Sequence, residues 1–310
     1  MTRFLVTGAS GLLGINFCLR VTAEHEVVGL VNQNPLTDPH FSVLNGDLTA
    51  PGMIERVLDQ VGPDVVVHCA ALANVDQCER EPDLAQQINA EIPGQLAAAC
   101  RKRSITMLHI STDAVFDGQK GNYRETDSPN PINTYARTKL GGEERVAEAN
   151  PDAVIARVNF YGWSLTGKRS LAEQFYYNLS AQKPMMGFTD VWFNPLEVND
   201  LVDILVQMAE KQLHGLYHVI SRETQSKYAF GCALARKFGL DADLIKPVSW
   251  RDAGLTAVRS PNLSMNCEKL SQALGYALPG QADGLARFHR EYEAGHPKII
   301  RQHAGPSSLI

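Results

Sequence analysis

Tyr135 and Lys139 stand four residues apart in the stretch Tyr135–Lys139. On a helix, side chains at this spacing lie on the same face, so Lys139 can stand beside the phenol of Tyr135. A phenol is a poor acid–base group at neutral pH, but a neighbouring ammonium favours phenolate and lowers the phenol pKa. The pair therefore predicts proton transfer, although the same spacing is also common in helices where it is only structural.

Two further polar residues could join this chemistry. Thr112 follows an apolar run, and its hydroxyl can donate a hydrogen bond to a substrate carbonyl oxygen that Tyr135 protonates. Alternatively, Thr112 is a turn residue that caps the next segment. Asn89 lies in a helix-like stretch, where its amide can bridge backbone and water near Lys139 or can simply be solvated.

Three glycines are spaced three residues apart in Thr7–Gly14, between an apolar run and a helix-like run. A strand that turns into a helix there leaves backbone N–H groups and the positive end of the helix dipole facing a bound phosphate. Gly8 permits the tight turn, Gly11 lets a pyrophosphate approach the backbone, and Gly14 lets the helix pack on its strand. The stretch predicts a dinucleotide site whose ribose Lys139 can reach, although a glycine-rich turn without a ligand would look similar.

Apolar strand patterns alternate with helix patterns through the first half of the chain. This alternation predicts a parallel sheet covered on both faces, with ligands beyond the carboxyl ends of the strands. We expect an α/β fold, a Rossmann-type doubly wound parallel sheet with a smaller, mostly helical C-terminal substrate lobe. The dinucleotide-binding domain is predicted to comprise residues 1–158 and about 191–225, and the substrate lobe about 159–190 and 226–310. The expected elements are the strands Phe4–Val6, Glu26–Val31, Val65–Ala70, Thr106–Ser111, Ala153–Arg157 and Gly215–Val219, and the helices Gly52–Val61, Leu84–Arg103, Thr134–Ala149, Asp200–Lys211 and Lys227–Phe238.

The end of the second strand, Leu30–Asn34, contains no acidic residue. An acid at this point accepts hydrogen bonds from the ribose of NAD and repels the 2′-phosphate of NADP. Its absence favours NADP with tolerance of NAD, although no arginine stands there to bind the phosphate. Asp47, after the third strand, could accept from the adenine amino group, or it could cap a helix together with Thr49.

The composition excludes several other classes of function. A net charge of −5 and a pI near 6.0 leave no basic footprint for nucleic acid or an anionic membrane. No apolar run reaches the length of a transmembrane span, and the first strand begins too early for a signal peptide. The six cysteines form no CxxC pair, so we expect a cytoplasmic protein without disulfides or a metal site.

Taken together, these motifs resemble those of the extended short-chain dehydrogenase/reductases, and most closely the dTDP-4-dehydrorhamnose reductase branch. The glycine stretch Thr7–Gly14 and the Tyr135–Lys139 pair carry the resemblance to the wider family. The other matching stretches are Gly46–Leu48, His68–Ala71, Val75-Asp76, Ile88-Asn89, Ser111–Gly118, Asn130-Pro131 and Asn262–Leu270.

The resemblance implies hydride transfer from a nicotinamide to the C4 ketone of a nucleotide-linked sugar. Thr112 would hold the carbonyl, Tyr135 would supply the proton, and Lys139 would bind the nicotinamide ribose and lower the pKa of Tyr135. The implied cofactor contacts are Gly8, Ser10, Gly11, Leu12, Leu13, Gly14, Asn32, Asp47, Leu48, Ala70, Ala71, Asn89, Tyr135 and Lys139. The implied substrate contacts are Val75, Asp113, Ala114, Asn159, Phe160 and Trp163, with Asp113 on the sugar hydroxyls.

Two departures from the branch fall on the substrate side. Ala114 stands where the branch usually has a tyrosine that lines the sugar pocket. The stretch Arg157–Gly162 is about a residue shorter than usual and lacks a tryptophan, although Trp163 follows. With Trp163, the stretch Trp192–Pro195 could rebuild an aromatic pocket, or it could be ordinary core packing.

Two other functions remain open. An epimerase or dehydratase of nucleotide sugars would oxidise and restore its cofactor within each turnover. A non-catalytic, NADP-binding regulatory subunit would resemble some relatives of this branch. For all of these functions we expect a homodimer through helices around 93–103 and 134–149. The small residues Ala97–Ala99 and Gly141-Gly142 would allow these helices to approach closely across the two-fold axis.

Overall fold

A seven-stranded parallel sheet forms the centre of the computed structural model, which describes residues 1–252 and 260–305. The thirteen strands are β1 Arg3–Thr7, β2 Glu26–Val31, β3 Ser42–Asn45, β4 Val65–His68, β5 Thr106–Thr112, β6 Val154–Val158, β7 Phe160–Tyr161, β8 Met185–Phe188, β9 Trp192–Phe193, β10 Leu196–Glu197, β11 Gly215–Val219, β12 Gln225–Ser226 and β13 Ile245–Val248. The order in the main sheet is β3-β2-β1-β4-β5-β6-β11, and every pair is parallel. The chain therefore reverses its direction of growth between β1 and β4, where such sheets bind their ligands.

Twelve α-helices accompany the strands in the described residues. They are α1 Leu12–Val21, α2 Met53–Val61, α3 Val75–Arg80, α4 Pro82–Gln86, α5 Ile92–Lys102, α6 Thr134–Ala149, α7 Leu171–Ser180, α8 Val198–Glu210, α9 Lys227–Phe238, α10 Glu268–Leu274, α11 Gln281–Glu293 and α12 His296–Gln302. No helix in the described ranges is long and apolar enough to cross a membrane.

Hydrophobic residues along the strands alternate between two separate cores. Phe4 and Val6 of β1 belong to one core, and Leu5 between them belongs to the other. Since successive side chains of a strand point to opposite faces, the sheet has an apolar core on each face. Residues of α1 and α8 join the first core, and residues of α2 and α5 join the second. This is the predicted Rossmann-type α/β fold.

The largest difference from the predicted elements lies in 84–103, for which we expected one helix. The chain instead forms α4, a π-helical turn at Gln87–Glu91, and α5. A π turn accommodates one extra residue within a helix and is frequent at functional sites. Here the turn contains Asn89, which is fully buried.

The remaining strands form three small two-stranded sheets, β7 with β10, β9 with β12, and β8 with β13. In the first of these sheets, the Leu196 N–H at the start of β10 donates to the Asn159 carbonyl at 2.9 Å. The seventh strand of the main sheet, β11, comes from the 191–225 region that we assigned to the dinucleotide-binding domain. The exact division into two domains remains a prediction.

Candidate active site

The glycine stretch forms a tight turn between β1 and α1. Gly8 has a positive φ of 67°, and a Cβ there would lie 2.8 Å from the backbone of Ala70 at the end of β4. A Cβ on Gly14 would lie 2.3 Å from the Gly8 carbonyl oxygen. Both positions therefore require glycine, and α1 begins directly after Gly11. Its first backbone N–H groups have no intrahelical acceptor and face the turn, which fits a pyrophosphate.

A small pocket of about 100 Å³ opens beside this turn, at the carboxyl ends of β1, β2 and β4. It brings together five of the predicted cofactor contacts, namely Gly8, Asn32, Asp47, Leu48 and Ala70. Its other lining residues are Leu30, Val31, Gly46, Thr49, His68, Ile88 and Ile92. The apolar side chains and the single carboxylate suit a flat heterocycle with one amino group, such as adenine.

Asp47 caps a turn ahead of α2 and not the helix itself, whose N-cap is Gly52 without a side-chain hydrogen bond, and its contact with adenine stays a prediction. One of its carboxylate oxygens accepts hydrogen bonds from the backbone N and the hydroxyl of Thr49, at 2.9 and 2.8 Å. The residue thus caps the turn before α2 while also lining the pocket. The pocket contains no lysine or arginine among its described lining residues that could bind a 2′-phosphate, and Asn32 gives the end of β2 no charge that would repel one.

The remaining predicted cofactor contacts lie around the same turn. Leu13 is only 4% exposed and packs in the core, so only its backbone could reach a ligand. Ser10 is largely buried, Leu12 is partly buried, and Ala71 is exposed at the mouth of the pocket.

Tyr135 lies in the first turn of α6, and that turn is fixed at two points. Asn133 caps the helix by accepting a hydrogen bond from the Ala136 N–H at 2.9 Å. The carboxylate of Glu79, on α3, accepts from both the N–H and the hydroxyl of Thr134, at 2.7 and 2.8 Å. Because Thr134 immediately precedes it, Tyr135 has a well-defined backbone position.

Lys139 does not lower the pKa of Tyr135, contrary to our expectation. Burial raises the pKa of the Tyr135 phenol to about 12; a hydrogen bond with Thr112 opposes this increase, and the nearby charge of Asp113 adds to it. The Lys139 ammonium is almost fully buried and donates to the Ile110 carbonyl at 2.7 Å. Burial also lowers the pKa of Lys139 to about 8, against the opposing effect of neighbouring anionic groups. In this structure the phenol is therefore protonated at neutral pH, as a proton donor must be.

Thr112 ends β5 beside Tyr135 and, at the same time, caps the following turn. Its hydroxyl accepts from the Ala114 N–H at 3.2 Å and donates to the Asp113 carboxylate at 3.1 Å. The Asp113 carboxylate also accepts from the Asn159 amide. Burial raises the pKa of Asp113, while these hydrogen bonds and the charge of Lys227 lower it.

Asn89 is fully buried, so it is not simply solvated, and its amide bonds to the backbone as the first alternative expected. Its amide oxygen accepts from the Leu72 N–H at 2.8 Å, and its amide nitrogen donates to the Leu72 carbonyl at 3.0 Å and to the Thr138 hydroxyl at 3.1 Å. The residue therefore holds the segment after Ala70 and Ala71 against α6. Asn89 therefore acts on the predicted cofactor site indirectly, by fixing the backbone that follows Ala70 and Ala71.

A buried ion pair joins α6, the helix that begins at Thr134, to strand β6. Arg157 on β6 forms two-pronged hydrogen bonds to Glu143 on α6, the shortest of 2.7 Å, and both side chains are less than a tenth exposed. Ser111 of β5 donates to the same carboxylate. The network holds α6, which contains Tyr135, against β5, which ends at Thr112. It also holds α6 against β6, which is followed by Asn159 of the cleft.

The cleft next to these residues contains four of the six predicted substrate contacts: Val75, Asp113, Ala114 and Asn159. Its volume is about 280 Å³. Trp192 and Phe193 also line it, and they belong to the stretch that the sequence offered as an aromatic pocket. Sequence reasoning missed the other lining residues, which are Asp76, Asn133, Val191, Lys227, Ser260 and Leu263. One signal could have identified Lys227: a cation at the first position of a helix is unfavourable towards the helix dipole, so another role is expected there.

Trp163 is not in this cleft, which corrects our expectation, and the partly buried Phe160 is not among the residues that line it. The Trp163 ring is fully buried, stacks on Phe288 with centroids 4.0 Å apart, and donates from Nε1 to the Phe288 carbonyl at 3.2 Å. Phe160 belongs to β7, where it pairs with Leu196, and it packs against the core. The aromatic wall of the cleft comes instead from Trp192 and the largely buried Phe193.

The family described as "RmlD substrate binding domain" matches residues 2–294 of this chain. Among curated proteins, the chain is 34% identical over 296 residues to the probable low-salt glycan biosynthesis reductase Agl14 of Haloferax volcanii, covering 93% of this chain and 97% of that protein. It is 31% identical to methionine adenosyltransferase 2 subunit beta of Pongo abelii, covering 86% and 81%. It is 30% identical to the dTDP-4-dehydrorhamnose reductase of Aggregatibacter actinomycetemcomitans, covering 89% and 94%.

Solved structures agree with these matches. The dTDP-4-dehydrorhamnose reductase of Bacillus anthracis, in complex with NADP, superimposes with a TM-score of 0.80 at 26% identity, covering 94% of this chain and 99% of that one. WbmG of Bordetella bronchiseptica, in complex with NAD, has the same fold, with a TM-score of 0.80 at 20% identity and 96% coverage of both chains. The chain therefore belongs to the RmlD-like branch of the extended short-chain dehydrogenase/reductases, a family of NAD(P)-dependent oxidoreductases.

Proposed function

We propose that this oxidoreductase reduces the C4 ketone of a nucleotide-linked sugar, as a dTDP-4-dehydrorhamnose reductase does. One observation carries the proposal: the phenol of Tyr135 is hydrogen-bonded to Thr112, and the Thr112 hydroxyl donates to Asp113 in the lining of the cleft. The turn Gly8–Gly14 and the neighbouring pocket would hold a dinucleotide, and Lys139 would hold its ribose. A bound nicotinamide supplies the hydride.

The chain's own part in the reaction is to hold the ketone and deliver one proton. The Thr112 hydroxyl, now shared between Asp113 and the Ala114 N–H, can turn to donate to the ketone oxygen. Tyr135 then transfers its phenolic proton to the same oxygen as charge develops there. Positioned acids of this kind accelerate such steps by about 10²- to 10⁴-fold. Asp113 and Asn159, hydrogen-bonded to each other, face the sugar hydroxyls.

We propose NADPH as the preferred donor, with NADH tolerated. Asn32 stands at the end of β2 where an acidic residue would repel a 2′-phosphate, and its side chain is exposed. The solved structures of relatives include complexes with both NADP and NAD, so the cofactor class has firmer support than the preference.

The test is a measurement of NADPH and NADH oxidation by the purified protein against a panel of nucleotide-linked 4-keto sugars. We expect net consumption of NADPH with at least one of these sugars and a sharp loss of rate in Tyr135→Phe, with cofactor binding retained. Substrate conversion without net consumption, with a cofactor that stays bound through purification, would favour an epimerase or dehydratase instead.

A regulatory subunit is the second candidate, and relatives named methionine adenosyltransferase 2 subunit beta favour it. This candidate predicts NADP binding, no turnover with any keto sugar, and unchanged regulation of a partner enzyme by Tyr135→Phe. The same oxidation assay, followed by partner capture if no activity is found, separates the two.

We also propose that the protein is cytoplasmic and forms a homodimer through α5 and α6. All six cysteines are free thiols, which suits a reducing compartment. One of the small residues that suggested the dimer is used within one chain, since a Cβ on Gly142 would lie 2.2 Å from the Asn89 carbonyl oxygen. Sedimentation at micromolar concentration tests the dimer, and a monomer throughout would refute it.

A further inference from the structure

The substrate cleft has two chambers that share three residues. The first, of about 280 Å³, contains Asp113 and Ala114, next to Tyr135. The second, of about 380 Å³, is lined mainly by apolar side chains from α7 and β8. Asn159, Phe193 and Lys227 line both chambers. A ligand longer than a single sugar ring would therefore pass Lys227 on its way from one chamber to the other.

Lys227 is the only cation among the described residues that line either chamber. Two carboxylates, Asp76 and Asp113, line the first chamber. A diphosphate carries about two negative charges and would be repelled by these acids unless a cation accompanied it. Lysine is a common phosphate ligand, because its ammonium is a compact charge on a long and adaptable stem.

The backbone of Lys227 is held firmly at the junction of the chambers. The β9–β12 ladder pairs Ser226 with Trp192, and the Lys227 N–H donates to the Val191 carbonyl at 3.0 Å. Ser226 also caps α9 by accepting from the Ala229 N–H at 3.1 Å. The Lys227 side chain thus starts from a fixed backbone at the junction of the two chambers, next to the exposed indole of Trp192.

The charge of Lys227 is already felt within the first chamber. It lowers the pKa of Asp113 against the effect of burial, so the two side chains interact before any ligand binds. A bound diphosphate would compete with Asp113 for this ammonium. Asp113 would then remain hydrogen-bonded to Asn159 and Thr112 and be available to sugar hydroxyls.

We propose that Lys227 determines specificity for substrates that carry a diphosphate, by pairing with the phosphates at the junction of the two chambers. The inference rests on the proposed function, because it takes a nucleotide-linked sugar as the ligand. It assigns to one side chain the discrimination between such a sugar and the same sugar without its diphosphate.

The test uses calorimetric titration of the full-length protein with dTDP and UDP, and with thymidine and uridine, which lack phosphates. In Lys227→Gln we expect diphosphate binding to weaken roughly 10- to 100-fold, as the loss of one charge-assisted hydrogen bond implies, with nucleoside binding unchanged. Lys227→Arg should restore most of the affinity. Lys237→Gln, which removes a charge from the exposed end of the same helix, should have no effect.

Salt provides a second readout. Raising the ionic strength should weaken dTDP binding to the wild type more than to Lys227→Gln, because screening acts on the ion pair that the variant lacks. Equal binding of dTDP by wild type and Lys227→Gln would overturn the assignment of Lys227, even if reductase activity is found. A parallel loss of nucleoside binding would also overturn it, since the variant would then have a damaged cleft. If the wild type binds no nucleoside diphosphate and reduces none of the keto sugars, the proposed function fails as well.

Discussion

The cofactor side of this site is formed mainly by backbone, and the substrate side mainly by side chains. Backbone and small residues form the cofactor side: a Cβ on Gly8 would lie within 3 Å of Ala70, and one on Gly14 of α1 within 3 Å of Gly8. The substrate side consists of long side chains from separate segments, such as Asp113, Trp192 and Lys227. The first side therefore depends on close backbone approach, and the second on the chemistry of individual side chains.

This difference predicts whether a substitution will change stability and binding together or binding alone. On the cofactor side, an added methyl group displaces the backbone and affects folding and binding together. On the substrate side, an exposed side chain can be removed with little loss of stability, because few core contacts depend on it. Four predictions test this contrast, in order of decreasing effect.

The two tryptophans near the cleft should respond in opposite ways. Trp163→Ala removes a fully buried ring stacked on Phe288 and should lower the free energy of unfolding by about 3–5 kcal/mol. Trp192→Ala removes a ring that is 42% exposed and should change stability by about 0.5 kcal/mol while raising the KM for the sugar substrate. Denaturant unfolding and steady-state kinetics measure the two effects. A stable Trp163→Ala variant with a raised KM would place that ring in the cleft after all.

Thr112→Val should separate catalysis from cofactor binding. The change preserves shape but removes the hydroxyl that holds the ketone, and we expect kcat to fall by about 10²- to 10³-fold. Stability should fall by about 1 kcal/mol, because the cap on the Ala114 N–H is lost. The affinity for NADPH should be unchanged, and Thr112→Ser should recover most of the rate. Loss of NADPH affinity in the valine variant would show that the two sides are not independent.

Gly14→Ala should damage the cofactor side as a unit. Its Cβ would lie 2.3 Å from the Gly8 carbonyl oxygen, so we expect about 1–3 kcal/mol of destabilisation together with weaker NADPH binding. Gly11→Ala is the matched control, because its Cβ would lie 3.1 Å from the same oxygen and should leave folding nearly intact. Thermal unfolding and fluorescence titration report the two effects. Equal stability in both variants would contradict the close packing of α1 on the turn.

Asn32→Asp should have the smallest effect, and only on cofactor choice. A carboxylate there should weaken NADPH relative to NADH by roughly five- to tenfold, since like charges at close range in water repel by about 1 kcal/mol. Asn32→Ala removes the amide without adding charge and should leave the ratio of kcat/KM values near that of the wild type. An unchanged ratio in the aspartate variant would mean that the 2′-hydroxyl end of the ribose lies elsewhere.

Sequence patterns predicted the sheet and the cofactor side well, for a physical reason. Buried parallel strands are continuous apolar runs, and their carboxyl ends must meet at one edge, so Thr7–Gly14, Asp47 and Ala70 are brought together by topology alone. The predicted bounds of α6, α9 and β11 match those of the structure. Local sequence patterns were therefore sufficient to predict the parts of the site that are formed by backbone.

The substrate side was predicted less well, because its neighbours are distant in sequence. Trp163 contacts Phe288, 125 residues away, and no local signal distinguishes a core tryptophan from one in a cleft. The pKa of Tyr135 likewise depends on burial among several segments and not on its spacing from Lys139. Lys227 gave only the weak signal of a cation at a helix start.

The buried amide of Asn89 has a consequence for how the site can diverge. It clamps Leu72 to α6, and Leu72 lies between the alanines beside the cofactor turn and Val75 at the rim of the cleft. The distance between a bound cofactor and a bound sugar is therefore set by this backbone connection and not by the side chains that line the cleft. Ala114 and Trp192 can therefore be replaced to fit a different sugar without a change in the distance over which a hydride would be transferred.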